Sequence, residues 1–214
     1  MATSPTAVTA VAFPVQRAAR PRRALAAGLE FLEASAEPGW SVCGVRTWFE
    51  EHLVEPGHMR APVVLSEPGA GRVSLLESDA ETLTSSSNLL RIVTGARNRI
   101  IAALRGLNAS PTDDRFLSAA IFAGRVQRLR GRSESHWVPQ PEPTAPLSGI
   151  VLSLFAVDVL SHRDEYEERL SVCDICDRIT FQDGALRRKS CPDHLPPLSG
   201  MSRRAMPSGR KNLS

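Results

Sequence analysis

The chain has 214 residues, 42% of them apolar and 23% charged, with a net charge of +3. This is the composition of a soluble globular protein, long enough for one ordinary domain and a small appendage. No stretch reaches the roughly 20 apolar residues that a membrane-spanning helix needs, which excludes such a span.

Residues 1–16 are small, polar and β-branched and read as a flexible N-terminal segment. The apolar run Ala7 to Val15 is broken by Thr9 and Pro14 and has no basic residue before it, so it is not a secretory signal. Arg20-Pro21-Arg22-Arg23 is a basic break, read as the solvated start of a helix rather than a nucleic-acid arm. Leu25, Leu29, Phe31 and Leu32 suit a helix or a helix–strand junction over 24–36, ended by Glu37-Pro38-Gly39. Val45, Trp48, Phe49 and Leu53 predict a second helix over 42–54, stopped by Glu55-Pro56-Gly57. His52 and His58 lack the i, i+4 spacing of two ligands on one helix face and are read as surface or capping residues. Short β-type runs follow at 61–65 and 72–76. The glycine-bearing loop between them has no Lys-Ser/Thr pair and no strand–loop–helix context, so it is not a phosphate cradle.

The clearest helix is predicted over 85–107, where Leu89, Val93, Ala96, Ile100, Ala103 and Leu107 recur in steps of four and three. That stripe is a core face or, alternatively, a dimer seam. Arg91, Asn98 and Arg105 fall on the opposite face. Residues 114–130 admit two readings: Phe116, Ala120, Phe122 and Val126 allow a helix, and alternation over 123–129 allows a strand. The basic run Arg125, Arg128, Arg130 and Arg132 reads as a solvated face, and on a strand the last three would share one side. Residues 133–148, with four prolines, read as a loop or linker. A second strong helix is predicted over 148–170, capped by Ser148, buried in its first half and solvated in its second. Asp158 and His162 are four apart on it and read as a surface ion pair rather than a catalytic pair.

The chemistry of the chain concentrates at 173–194. Cys173-Asp174-Ile175-Cys176 and Cys191-Pro192-Asp193-His194 are two short chelating pairs separated by a loop. Each pair can turn two ligands toward one metal ion, and such a repeat of pairs is the spacing of a tetrahedral zinc site. Four protein ligands close the coordination sphere, so the site is structural rather than catalytic. A redox pair fits poorly, because no βαβ unit surrounds Cys173. Cys43 then has no disulfide partner, which places the chain in a reducing, cytoplasmic compartment. Charge follows the same division: residues 171–214 carry eight Arg or Lys against four Asp, a net of +4, whereas residues 1–170 carry 18 against 19, a net of −1. Arg178, Arg187, Arg188 and Lys189 are the candidate nucleic-acid contacts. No nucleophile–base spacing, H-E-x-x-H or phosphate loop is present, so an enzyme is not expected.

The order of these features resembles the bacterial ABATE/CGNR zinc-finger proteins. The carriers are Leu29-Glu30-Phe31-Leu32, the Trp48-Phe49 helix, a long helix ending in Leu107-Asn108, and a terminal helix leading directly to a Cys pair. Phe181, Asp183, Arg187-Arg188 and Cys191 continue the likeness, although Cys191-Pro192-Asp193-His194 stands where that family has Cys-Gly-Asn-Arg. The resemblance implies an N-terminal α/β domain, a C-terminal finger and a transcription regulator that binds DNA through it. The expected architecture is therefore α+β: a helix-rich main domain over 17–170, a zinc finger over 171–197 and a disordered basic tail over 198–214. The expected cofactor is Zn2+ and the expected partner DNA, or a protein partner or a second copy, with no membrane. Removing the metal is expected to unfold 171–196 and leave the larger domain intact.

Overall fold

The structure, a computed structural model, describes residues 23–36, 40–59, 64–74, 83–109, 112–130, 135–181 and 190–194. Segment 1–16 and tail 198–214 lie outside these residues. The described helices are α1 (Arg23–Ala34), α2 (Val42–Phe49), α3 (Leu83–Leu107), α4 (Arg115–Phe122), α5 (Leu147–Ser161) and α6 (Arg163–Arg169). The strands are β1 (Val64–Glu67), β2 (Gly71–Ser74), β3 (Val126–Arg130), β4 (Ser135–Pro139), β5 (Leu170–Val172) and β6 (Ile179–Phe181). They form three antiparallel pairs, β1–β2, β3–β4 and β5–β6, so the class is α+β. No described helix is long and apolar enough to cross a membrane.

Helix α5 is apolar nearly all round, and a helix of that kind must be covered on every side. Leu147, Ile150, Val151, Leu154, Phe155, Ala156 and Val159 are each at most 1% exposed. The cover comes from α1, α3, α4, β1 and β4. Helix α1 comes closest: a Cβ at Gly28 would stand 2.6 Å from Cε2 of Phe155, so only glycine fits there. The α3 stripe is a core face. Leu89, Val93, Ala96, Ile100 and Leu107 are buried on it, joined by Ile92, Ile101 and Leu104, and Ala103 is half-buried. On the far side of α1, Trp40 and Trp48 meet Phe31 edge-on with centroids 5.3 Å away.

Several elements differ from the sequence reading, each for a local reason. The α-helix over 42–54 passes after Phe49 into a π turn, Glu50–Val54. The first hairpin turns through Glu67–Gly71, where Gly69 and Gly71 have φ of 81° and 93°, conformations that favour glycine. Residues 114–130 are both things in succession, helix α4 and then strand β3, divided by Gly124 at φ 66°. Segment 133–148 is not loop throughout, because β4 pairs with β3; Pro139 sits at its end opposite Val126, where a missing N–H costs least. The helix over 148–170 is two helices. The break is at His162 (φ −142°, ψ 45°), and beyond it α6 carries Tyr166 into the core at 2% exposed. Asp158 is 4% exposed and its Oδ1 lies 3.5 Å from Nδ1 of His162, so the pair is half-buried rather than superficial.

Ser148 does not cap α5. Pro146 occupies the cap position, and a free N–H group of the first turn, that of Ser148, is met from another element. Ser148 N–H donates to Oε2 of Glu67 at 2.9 Å, and Ser148 Oγ donates to Oε1 at 2.8 Å. Arg99 Nε lies 3.1 Å from the same Oε1, and the Glu67 side chain is fully buried. One carboxylate thus ties β1 to the N-terminus of α5 and to α3, where a negative charge also complements the helix dipole. Glu67→Ala should cost about 2–4 kcal/mol, because it leaves the buried N–H and hydroxyl of Ser148 without an acceptor. Thermal denaturation measures it, and an unaltered melting temperature would show that the network is not needed.

Candidate metal centre

Helix α6 leads straight into β5, whose Leu170 and Val172 are buried, and the chain leaves the core at Cys173. Strand β6 returns alongside, with Leu170 opposite Phe181, Ser171 opposite Thr180 and Val172 opposite Ile179. Tyr166 meets Phe181 edge-on at 5.1 Å and seats the return strand. Between the strands lies a tight knuckle. Cys173 N–H donates to Arg178 O at 2.9 Å, and Asp177 N–H donates to Cys173 O at 3.1 Å. Asp177 has φ 60°, the one positive value among the described non-glycine residues; aspartate is among the side chains that tolerate it. The second half of the centre is a 3-10 turn, Pro192–His194, closed by His194 N–H donating to Cys191 O at 2.9 Å.

These two turns bring all four expected ligands together. One donor atom from each of Cys173, Cys176, Cys191 and His194 lies within 4.8 Å of the other three. Cys176 Sγ is 3.6 Å from Cys191 Sγ, and His194 Nδ1 is 3.7 Å from Cys173 Sγ and 3.2 Å from Cys191 Sγ. A tetrahedron with bonds of 2.0–2.3 Å has edges of about 3.3–3.8 Å, so these spacings suit one enclosed ion. Three thiols and an imidazole are also a donor set that soft and borderline metals prefer. The group could therefore hold a metal ion. Burial pushes the Cys173 thiol up, but amide N–H groups of Cys191, Cys176 and Ile175, with His194, outweigh it and bring the thiol down to about 6. Burial pushes the Cys176 thiol up, and the neighbouring Cys191 and Cys173 sulfurs add to this, with the Arg178 amide opposing. One thiol is thus set to ionise first, as a metal ligand must.

The surroundings hold the turns in place. Arg178 pairs with Asp193, which links the first knuckle to the second. Arg105, on the polar face of α3, donates to Cys173 O at 3.2 Å and pairs with Asp177. Asn108 Nδ2, just past the end of α3, donates to Leu170 O at 2.8 Å. Neither Arg105 nor Asn108 carries a sequence signal for this role beyond lying at the polar end of a long helix; their partners are 62 to 72 residues away. Of the candidate nucleic-acid contacts, Arg178 is exposed but already paired, and Arg187, Arg188 and Lys189 lie outside the described residues.

Glu30, Glu51 and His52 form a second cluster of possible ligands with atoms within 4.8 Å of one another. There His52 Nε2 lies 3.2 Å from Glu30 Oε2 and its ring lies 5.4 Å from that of Trp48, a tether between α1 and the π turn. No family model matches the chain, and no curated protein or solved structure matches it significantly.

Proposed function

We propose that this chain is a non-enzymatic, cytoplasmic regulatory protein that binds Zn2+ at Cys173, Cys176, Cys191 and His194 and contacts DNA through its basic C-terminal finger. The observation that carries the reading is the closure of four ligand atoms to within 4.8 Å at the head of the segment with net charge +4. Zinc suits the set because it favours tetrahedral thiolate and imidazole ligands and asks nothing of redox chemistry. All four cysteines are free thiols, which fits a reducing compartment. The role of transcription regulator is what the resemblance of the Leu107-Asn108 helix end and the following Cys pair to ABATE/CGNR proteins suggests. The Leu107-Asn108 end of the long helix is tied by the Asn108 side chain to the strand entering the finger.

The test is a gel shift with random-sequence duplex DNA at rising salt. Binding should weaken steeply as salt rises, because phosphate neutralisation releases counterions. Affinity that does not fall with salt, or no binding at all, would favour a second reading. In it the finger is a purely structural knob on a protein-interaction adaptor. Ile175, 65% exposed at the knuckle, and the pairing of Arg178 with Asp193 are the observations on that side.

The metal reading makes a separate prediction. Arg105→Ala should weaken zinc binding about 10- to 100-fold, the usual effect of removing a group that orients the ligands. Competition with a chromogenic chelator measures this. Arg91→Ala, on the same helix as Arg105, removes only a contact to Gly69 O in the β1–β2 turn; it is the control and should leave affinity unchanged.

A further inference from the structure

Among the described residues, one group of possible ligands besides the cysteine centre closes on itself. A donor atom from each of Glu30, Glu51 and His52 lies within 4.8 Å of the other two. Glu30 is exposed on α1, and Glu51 and His52 are neighbours on the π turn, Glu50–Val54. The π turn makes the approach possible. Glu55 N–H donates to Glu50 O, five residues back, at 2.8 Å. With more residues in each turn, the adjacent side chains of Glu51 and His52 diverge less than they would on an α-helix. A spacing rule along one helix face does not record a site drawn from two elements.

The His52 ring is oriented by packing rather than by the glutamates. It lies 5.4 Å from the ring of Trp48, which is buried and tied to α1 by Nε1 donating to Ala27 O at 3.2 Å. Its Nε2 is shielded from solvent and finds no hydrogen-bond partner among the described residues. A shielded ring nitrogen needs a partner. Glu30 Oε2 is 3.2 Å away, near enough for a hydrogen bond that is not made. The two atoms instead stand side by side, as two ligands of one ion do. Bonds of about 2.0–2.2 Å from zinc to nitrogen and carboxylate oxygen set tetrahedral donors about 3.3–3.6 Å apart, close to this spacing. The donor set also selects the ion. Two carboxylates can neutralise a divalent charge, and an imidazole favours zinc and its transition-metal neighbours over Mg2+ or Ca2+, which prefer oxygen alone. Three protein ligands leave a position for water, unlike the four of the cysteine centre.

We propose that Glu30, Glu51 and His52 bind a second, exchangeable divalent ion of the Zn2+ class, which joins α1 to the π turn. The site shares no residue with the cysteine centre and does not depend on the reading of the chain as a DNA-binding protein.

The test is equilibrium dialysis of the full-length chain against a fixed concentration of free Zn2+, with zinc counted per chain by mass spectrometry. The parent should hold about one zinc more than either Glu51→Gln or His52→Gln, because each variant removes one of three ligands. Glu51 is exposed, so its replacement leaves the fold intact. Glu33→Gln, exposed on α1, and His58→Gln, beyond the π turn, should keep the zinc content of the parent. Co2+ added after the cysteine centre is loaded with zinc should bind without a sulfur-to-cobalt charge-transfer band. If the cysteine centre takes no zinc, the parent should still hold about one ion and Glu51→Gln none, so that reading can fail without this one. Equal zinc in the parent and either ligand variant overturns the site. An equal loss in Glu33→Gln or His58→Gln, or a sulfur-to-cobalt band that grows with the added ion, overturns it as well.

Discussion

Replacing Ile100 by aspartate should unfold the domain, or nearly so. Ile100 is fully buried on the face of α3 that packs against α5. Truncation of a core aliphatic residue costs about 2–5 kcal/mol. A carboxyl group in its place, with no partner built for it, adds about 1–3 kcal/mol even if it stays protonated. The sum rivals the about 5–15 kcal/mol that holds a typical domain together. Denaturant titration should show loss of the cooperative transition, or a midpoint shifted far down. Leu90→Asp is the control, because Leu90 is 56% exposed on the same helix and its replacement should stay within about 0.5 kcal/mol. A stable Ile100→Asp protein would mean that this face is not core.

Stripping the metal should undo the knuckle but not all of the segment that follows residue 170. The expectation of a finger that unfolds as a unit over 171–196 takes no account of β5. Leu170 is fully buried, Val172 is 6% exposed, and Asn108 holds Leu170 O from outside the finger. Those contacts need no metal. The turns at 173–178 and 191–194 have little apolar surface to hold them and depend on the ion, whose binding in isolated fingers contributes an apparent 10–16 kcal/mol or so. After chelation, hydrogen exchange should become fast at the amides of Asp177 and His194 and stay slow across 170–172 and α5. Exchange at 170–172 as fast as in the turns would show an independent finger. Exchange unchanged everywhere would show that no metal supports the fold. Zinc content should fall alike in Cys173→Ser and Cys191→Ser and remain in Cys43→Ser, because Cys43 lies on α2 and belongs to neither turn.

The contrast between these two predictions tracks how far apart in the chain the cooperating residues lie. The α3 stripe was legible because a 3.6-residue repeat marks every third or fourth position, and the residues it named are buried except Ala103, which is half-buried. The ligand set was legible because each half of the site spans four residues, a spacing that one turn can close without help from the rest of the fold. Residues 114–130 were ambiguous because short apolar runs satisfy both periods, and a glycine at positive φ decided where one element ended. Strand β4 was hidden by its prolines, which local rules read as loop and which pairing with β3 tolerates at a strand end.

By itself the sequence determined the mixed class, the buried face of α3 and the four Cys and His residues that cluster where they could hold a metal ion, since each depends on spacing within a few turns of backbone. Tertiary structure alone decided the rest. Glu67 caps α5 across 81 residues of chain, Arg105 reaches Asp177 across 72, and Asn108 reaches Leu170 across 62. No periodicity records such pairs, because a polar side chain on a helix or at a turn has the same local pattern whether it faces water or a distant backbone. Only the packing of α3 and β1 around α5 brings those groups within hydrogen-bonding reach, and it is this packing that positions the knuckle.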